Sequence, residues 1–171
     1  AGDLRIDLWT LDALWWSLFE DKTTGDDSAV AAEFPGFIFD EERHLQWFLV
    51  QNWDKLSLSS EWSIYSEPGN DMAGCEYRCS VGRIDILARH RTESDWLVIE
   101  LKRDQTSDVT VGQVLRYIGC VKKEMAQPGE IVRGLVIARE ADRSLLYALN
   151  TVQNVKLQLY EIQFNLRPAI E

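Results

Sequence analysis

The sequence predicts an α/β fold, a mixed central β-sheet flanked by helices on both faces. Three observations predict it. Two β-rich runs, residues 82–89 and 96–102, are separated by a polar segment, 90–95, that is short enough for a hairpin loop. An apolar pattern at helical spacing, from Val111 to Met125, then leads into a buried run over 131–138. A second helix and a last alternating run repeat that order. A hairpin followed by helix-strand units places antiparallel and parallel neighbours in one sheet.

The elements follow in chain order. Residues 3–20 hold Leu4, Ile6, Leu8, Trp9, Leu11, Leu14, Trp15, Leu18 and Phe19, the later ones at helical spacing with Asp12 in a first turn. Trp9, Trp15 and Trp16 make this start strongly aromatic. Residues 1–38 are expected to pack on the core as an extension, and a partner surface is the other reading. The polar stretch 21–33 is a loop, and Pro35-Gly36 marks a turn. Asp40 is a good N-cap, with Glu41 and Glu42 in the first turn of a helix. Its apolar stripe runs through Leu45, Phe48, Leu49, Trp53 and Leu56. Both glutamates lie near the edge of that stripe. Either one faces a site, or both only complement the helix dipole.

Residues 61–66 suit a strand, and Glu67-Pro68-Gly69-Asn70-Asp71 is a turn signal. The run 76–79 either extends into the next strand or forms its own, ending at Gly82. In the first hairpin strand Asp85 interrupts a β-branched run, with Ile84 and Ile86 expected on the opposite face. Beyond the hairpin, residues 106–110 offer several caps, and Thr110-x-x-Gln113 matches a capping box. Gln113, Arg116 and Tyr117 are three and four apart and share a helix face. Gln113 therefore either caps the helix or reaches a water or phosphate near the strand ends. Gly119 is expected to allow close packing, and Pro128-Gly129 to end the helix. Residues 141–149 form a short helix with Leu145 and Leu146 inward. Residues 155–166 alternate with a change of phase, as in a long bulged strand toward the sheet edge.

The 171 residues suit one domain, with a core spanning about 40–166. The net charge of −10 argues against a nucleic-acid partner, but its distribution does not. Residues 1–80 hold 16 acidic and 5 basic side chains, a net of −11; residues 81–171 hold 12 and 13, a net of +1. The second half is locally basic through Arg83, Arg89, Arg91, Lys102, Arg103, Arg116, Lys122 and Lys123. The local field steers a phosphate more than the net charge does. Cys75, Cys79 and Cys120 make an odd count, as expected of reduced thiols in a cytoplasmic protein. No apolar run is long enough for a membrane helix and no leader pattern opens the chain, so no membrane partner is expected.

Charge inside the two hairpin strands is the anomaly on which function turns. In the run from Trp96 to Lys102, Glu100 and Lys102 share one face, while Leu97, Ile99 and Leu101 share the other. A buried, unpaired carboxylate costs several kcal/mol, so it needs a partner or a metal. Antiparallel pairing brings Asp85 next to Glu100. Two adjacent carboxylates raise each other's pKa unless a cation lies between them, and Mg²⁺ or Mn²⁺ suits oxygen ligands. Lys102 on the same face can orient or help deprotonate a metal-bound water. The chemistry that this suggests is metal-assisted attack on a phosphodiester.

Three segments together resemble the PD-(D/E)XK nuclease superfamily. They are Gly82-Arg83-Ile84-Asp85-Ile86-Leu87, Val98-Ile99-Glu100-Leu101-Lys102 and Gly112-Gln113-Val114-Leu115-Arg116-Tyr117. More narrowly, they resemble the catalytic domain of NucS-type (EndoMS) endonucleases over about residues 40–140. The resemblance implies a restriction-endonuclease-like core, with Asp85, Glu100 and the Leu101 carbonyl as ligands of Mg²⁺ or Mn²⁺. It implies Lys102 beside the nucleophilic water, and Glu42 and Gln113 completing the site. Glu42 is preferred over Glu41 because it stands three residues before Leu45, as the family's glutamate stands before a leucine. By analogy Arg83, Arg116 and Tyr117 hold substrate or shape the site.

The chain departs from that family before residue 40. Those proteins carry a separate N-terminal DNA-binding and dimerisation domain, and here the start is short, Trp-rich and acidic. Mismatch specificity and clamp partnership are therefore not expected to transfer. The expected function is a metal-dependent endonuclease acting on DNA, in repair, restriction or defence, as a homodimer or with an added DNA-binding partner or domain. Two alternatives stand beside it. One is a non-catalytic nucleic-acid-binding or assembly module on the same fold, and the other is an RNase or toxin nuclease with the same site.

Overall fold

The computed structural model describes residues 42–162, apart from the side chains of residues 104–106. The expected helix within 3–20, the Trp-rich extension 1–38, Asp40, Glu41 and the last part of the run to 166 lie outside the described residues. Helix α1 spans Glu42–Gln51 and is followed by two 3-10 turns, Trp53–Lys55 and Ser57–Ser60. The strands are β1 Trp62–Ile64, β2 Cys75–Cys79, β3 Gly82–His90 and β4 Trp96–Thr106. Helix α2 (Asp108–Glu124), β5 (Val132–Ala141), α3 (Arg143–Asn150) and β6 (Val155–Leu159) complete the order.

The sheet runs β1-β3-β4-β5-β6, with β2 also paired to β3. Strands β1, β2 and β4 pair with β3 antiparallel, while β4–β5 and β5–β6 are parallel. The parallel pairs are those whose connections contain α2 and α3, as parallel strands require. The mixed sheet with flanking helices is the fold that the sequence predicts. One face buries Leu45, Leu49 and Trp53 against Ile86, Ala88, Leu97, Ile99, Leu101, Leu135 and Ile137. The other buries Val114, Tyr117, Ile118 and Val121 of α2 against Leu87, Trp96, Val98, Val132, Val136 and Val155. Each central strand is therefore covered on both sides, which is why these strands read as almost unbroken apolar runs.

Two glycines permit close approaches. A Cβ on Gly134 would lie 2.5 Å from Val114 Cγ1 and 3.0 Å from Ile118 Cδ1, so α2 packs directly on the β5 backbone. A Cβ on Gly74 would collide with the Leu87 carbonyl, where the chain leaving β1 returns to β3. Gly119, expected to be the close-packing residue, has open space around its Cβ position.

Other expectations are also corrected. The first helix stops at Gln51, and Trp53 and Leu56 carry its stripe on in short turns. Of the two readings of residues 76–79, the separate strand is the one found, over Cys75–Cys79. Ser107 is the α2 N-cap and makes no side-chain cap bond, so Thr110 lies inside the helix and no capping box forms. In α3 Asp142 caps by accepting from Leu145 N–H, and Leu145 is fully buried. Leu146 is exposed rather than inward, because neighbours in a helix are about 100° apart. Strand β6 is at the edge but ends at Leu159. Ile84 and Ile86 do not share a face: Ile84 packs with the α2 cluster and Ile86 with the α1 cluster. The alternation breaks between them, at Asp85.

Candidate functional site

The β3–β4 ladder pairs Arg89 with Trp96 and runs to Ile86 with Ile99, where it stops. Asp85 has no ladder partner in β4, and β2 pairs with Ile84 and Ile86 but not with Asp85. On β2 the residue between those pairings, Glu76, adopts φ 50°, a left-handed conformation uncommon for a side chain of its size. Two bonds hold Asp85 in place of the ladder. Its Oδ2 accepts from Leu101 N–H at 2.8 Å, and its main-chain carbonyl accepts from Gln46 Nε2 at 2.6 Å.

Glu100 follows from the alternation of β4. Leu97, Ile99 and Leu101 pack toward α1, which turns Glu100 and Lys102 to the other side. Lys102 Nζ donates to Glu100 Oε1 at 2.8 Å and lies 3.6 Å from Glu42 Oε1 at the start of α1. Glu100 is 1% exposed, and its Oε2 is buried without a hydrogen-bond partner. Burial first, and the neighbouring Asp85 second, push the Glu100 carboxyl up to about 7. Burial likewise raises Asp85, against the lowering effects of the Leu101 N–H and the Lys102 ammonium. Burial alone would lower Lys102, but its bond to Glu100 and the charges of Glu100, Glu42 and Asp85 outweigh that and hold it protonated.

These residues fit a hard cation. An orphaned, buried carboxylate oxygen beside a second carboxyl is a costly arrangement that a divalent ion would relieve. Among the described residues no three His, Cys, Asp or Glu side chains gather as a metal site. Further donors to an ion here would thus be main-chain oxygen and water, as Mg²⁺ accepts. Leu101 offers such an oxygen. Its N–H faces β3, and in an antiparallel pair a residue's N–H and C=O face the same neighbour.

The remaining candidates lie further out. Gln113 Nε2 donates to Tyr117 Oη at 3.3 Å, and the Tyr117 ring packs over Gly82 at the β2–β3 turn. Arg83 is exposed and lies 3.3 Å from Glu76. Arg116 is exposed on α2, whereas Tyr117 is buried, so the two do not share an environment. Sequence reasoning missed Gln46. Its only signal is its place one turn after Glu42, on the border of the apolar stripe, and nothing in that pattern separates it from a solvated side chain. Of the basic residues, Arg89 is committed elsewhere. It makes two bonds to Glu130, at 2.6 and 3.1 Å, and stacks on Trp96.

The family model of the endonuclease NucS C-terminal domain matches residues 64–163. The fold is similar to that of a repair endonuclease from Pyrococcus abyssi, with TM-score 0.55 and 17% identity, covering 74% of this chain and 50% of that one. It is also similar to a structure of an EndoMS–dsDNA complex, with TM-score 0.56 and 16% identity, covering 79% and 51%. The chain thus spans about half the length of these solved structures. No curated protein is significantly similar to it in sequence. Among the described residues no helix is long and apolar enough to cross a membrane. With its hairpin acids, its mixed sheet and a family match over more than half its length, the chain belongs to the endonuclease NucS C-terminal domain family.

Proposed function

We propose that this chain is a divalent-metal-dependent endonuclease that hydrolyses phosphodiester bonds of DNA. The observation that carries the reading is Glu100 Oε2, a buried carboxylate oxygen left without a partner beside Asp85. Asp85, Glu100 and the Leu101 carbonyl would hold Mg²⁺ or Mn²⁺. When bound, the ion supplies positive charge at the phosphate and lowers the pKa of a water.

The chain's own groups do the rest. Lys102, kept protonated between Glu100 and Glu42, acts as a donor that orients the attacking water or a phosphate oxygen. It is not the proton acceptor. Glu42, whose half-exposed carboxylate lies 3.6 Å from Lys102 Nζ, takes the water's proton in this reading. Gln113, braced by Tyr117, and the exposed Arg83 and Arg116 contact the substrate backbone. DNA is favoured over RNA because a relative of the same fold is described in complex with double-stranded DNA. A second copy or a further DNA-binding domain supplies the rest of the interface, since the chain spans half of that relative.

The test is cleavage of a labelled panel of DNA and RNA in Mg²⁺, Mn²⁺ or EDTA. Asp85→Ala, Glu100→Ala and Lys102→Ala are compared with wild type after each is checked for folding. Cleavage that requires the ion and vanishes in the three variants supports the proposal. Cleavage in EDTA, or retained in all three, overturns it. No cleavage together with no calorimetric Mn²⁺ binding identifies a non-catalytic module.

A further inference from the structure

We infer that Gln46 is a positioning residue, which sets the Asp85 carboxylate by holding the Asp85 main chain. The inference rests on the reading of Asp85 and Glu100 as the site. Asp85 is the one residue of β3 between Ile84 and Ile86 that both neighbouring ladders skip. A strand residue ordinarily has its peptide plane fixed by those ladders. Here the fixing bond comes from a helix: Gln46 Nε2 donates to the Asp85 carbonyl at 2.6 Å.

Gln46 is four residues after Glu42, so the two stand one above the other on α1. The same side of α1 therefore brings Glu42 to Lys102 and grips the chain at Asp85. Leu45 and Leu49, buried in the core on the neighbouring side, keep α1 from drifting. Without the Gln46 bond the Asp85 carbonyl loses its side-chain donor, and its peptide is held only from the Ile86 side, where Ile86 pairs with Ile99. A tilt of that peptide carries Oδ2 away from the Leu101 N–H, its partner at 2.8 Å.

The experiment compares Gln46→Met, which keeps length and apolar contact but cannot donate, with Gln46→Lys, which keeps a donor. Hydrogen exchange of the Leu101 amide is read with Val98 and Val136 as references, in protein without added metal. In Gln46→Met the Leu101 amide should exchange about tenfold faster while the references stay unchanged, and Gln46→Lys should restore it. With Mg²⁺ and DNA, kcat should fall about tenfold in Gln46→Met at an unchanged KM, and recover in Gln46→Lys. An unaltered Leu101 amide in Gln46→Met overturns the inference. So does equal acceleration at Val98 and Val136, which marks general loosening. If wild type neither cleaves DNA nor binds Mn²⁺, the nuclease reading falls alone, and the exchange data still decide the role of Gln46.

Discussion

Replacing Glu100 with Gln should change how stability depends on pH. The folded protein holds the Glu100 proton up to about pH 7, against an ordinary value of 4.5. Between those values the folded state binds more protons than the unfolded one, so stability falls as pH rises. The contribution is fully present below about 4.5 and is lost as pH passes through about 7. The difference of roughly 2.5 in pKa, at about 1.4 kcal/mol for each, sets an upper bound of about 3.5 kcal/mol. Asp85, also raised, adds to wild type with the same sign. The side-chain amide of the Glu100→Gln variant does not titrate, so that variant should gain on wild type by up to about 3 kcal/mol between pH 5 and pH 8. The assay is urea unfolding in EDTA, followed by tryptophan fluorescence at several pH values. A stability difference between the two proteins that stays flat across that range would refute the reasoning. In wild type, Mn²⁺ at about 100 times its Kd should return about 2.7 kcal/mol at pH 8. It should return less at pH 5, where the proton competes.

Further outcomes follow from other sites. Glu130 accepts from both Arg89 nitrogens, Trp96 Nε1 and Gln127 N–H, and the Arg89 bonds, first among these, hold it at about 2. Its contribution is therefore present above about 4.5 and lost as pH falls toward 2; Glu130→Gln should be less stable at pH 7 and flatter in acid, as read by thermal unfolding. Gly134→Ala should destabilise by about 1–3 kcal/mol through overpacking against Val114, measured by urea midpoint. Gly119→Ala meets open space inside a helix and should stabilise by about 0.5–1 kcal/mol in the same assay. Asp142→Ala removes the α3 cap bond to Leu145 N–H and should cost about 1 kcal/mol.

The sheet was legible because each central strand is buried on both faces and therefore written in Val, Ile and Leu. The charged exceptions, Asp85, Glu100 and Lys102, stood out against that background. Periodicity says which face a residue takes only while alternation holds. That rule puts Ile84 and Ile86 on one face, and the break at Asp85 separates them. Residues with polar spacing were harder. Thr110 and Gln113 match a cap by pattern, yet the helix begins two residues earlier at Asp108, so Thr110 is already inside the first turn and Gln113 in the second. Leu146 has the composition of a core residue but the angular position of an exposed one. Gln46 was invisible because its partner is a carbonyl 39 residues away, and main-chain partners leave no mark in side-chain pattern.

The break in alternation and the site are one feature. An unbroken ladder would set Asp85 opposite Glu100 and engage the Leu101 main chain with residue 84. Both polar groups of Leu101 that face β3 would then be consumed by sheet bonding. Because β3 leaves the ladder after Ile86, the Leu101 N–H is taken by the Asp85 carboxylate, and its carbonyl is spared from the ladder. The loss of ladder bonds is the cost, partly offset by Gln46 and by the charge-assisted bond to Leu101. The gain is an Asp85 carboxyl held on the Leu101 main chain, close enough to Glu100 to help raise it. The same departure lets Ile84 turn into the α2 cluster, which keeps it buried and limits the cost further. A sheet that kept perfect register here would make those ladder bonds and leave no Leu101 N–H for the Asp85 carboxylate.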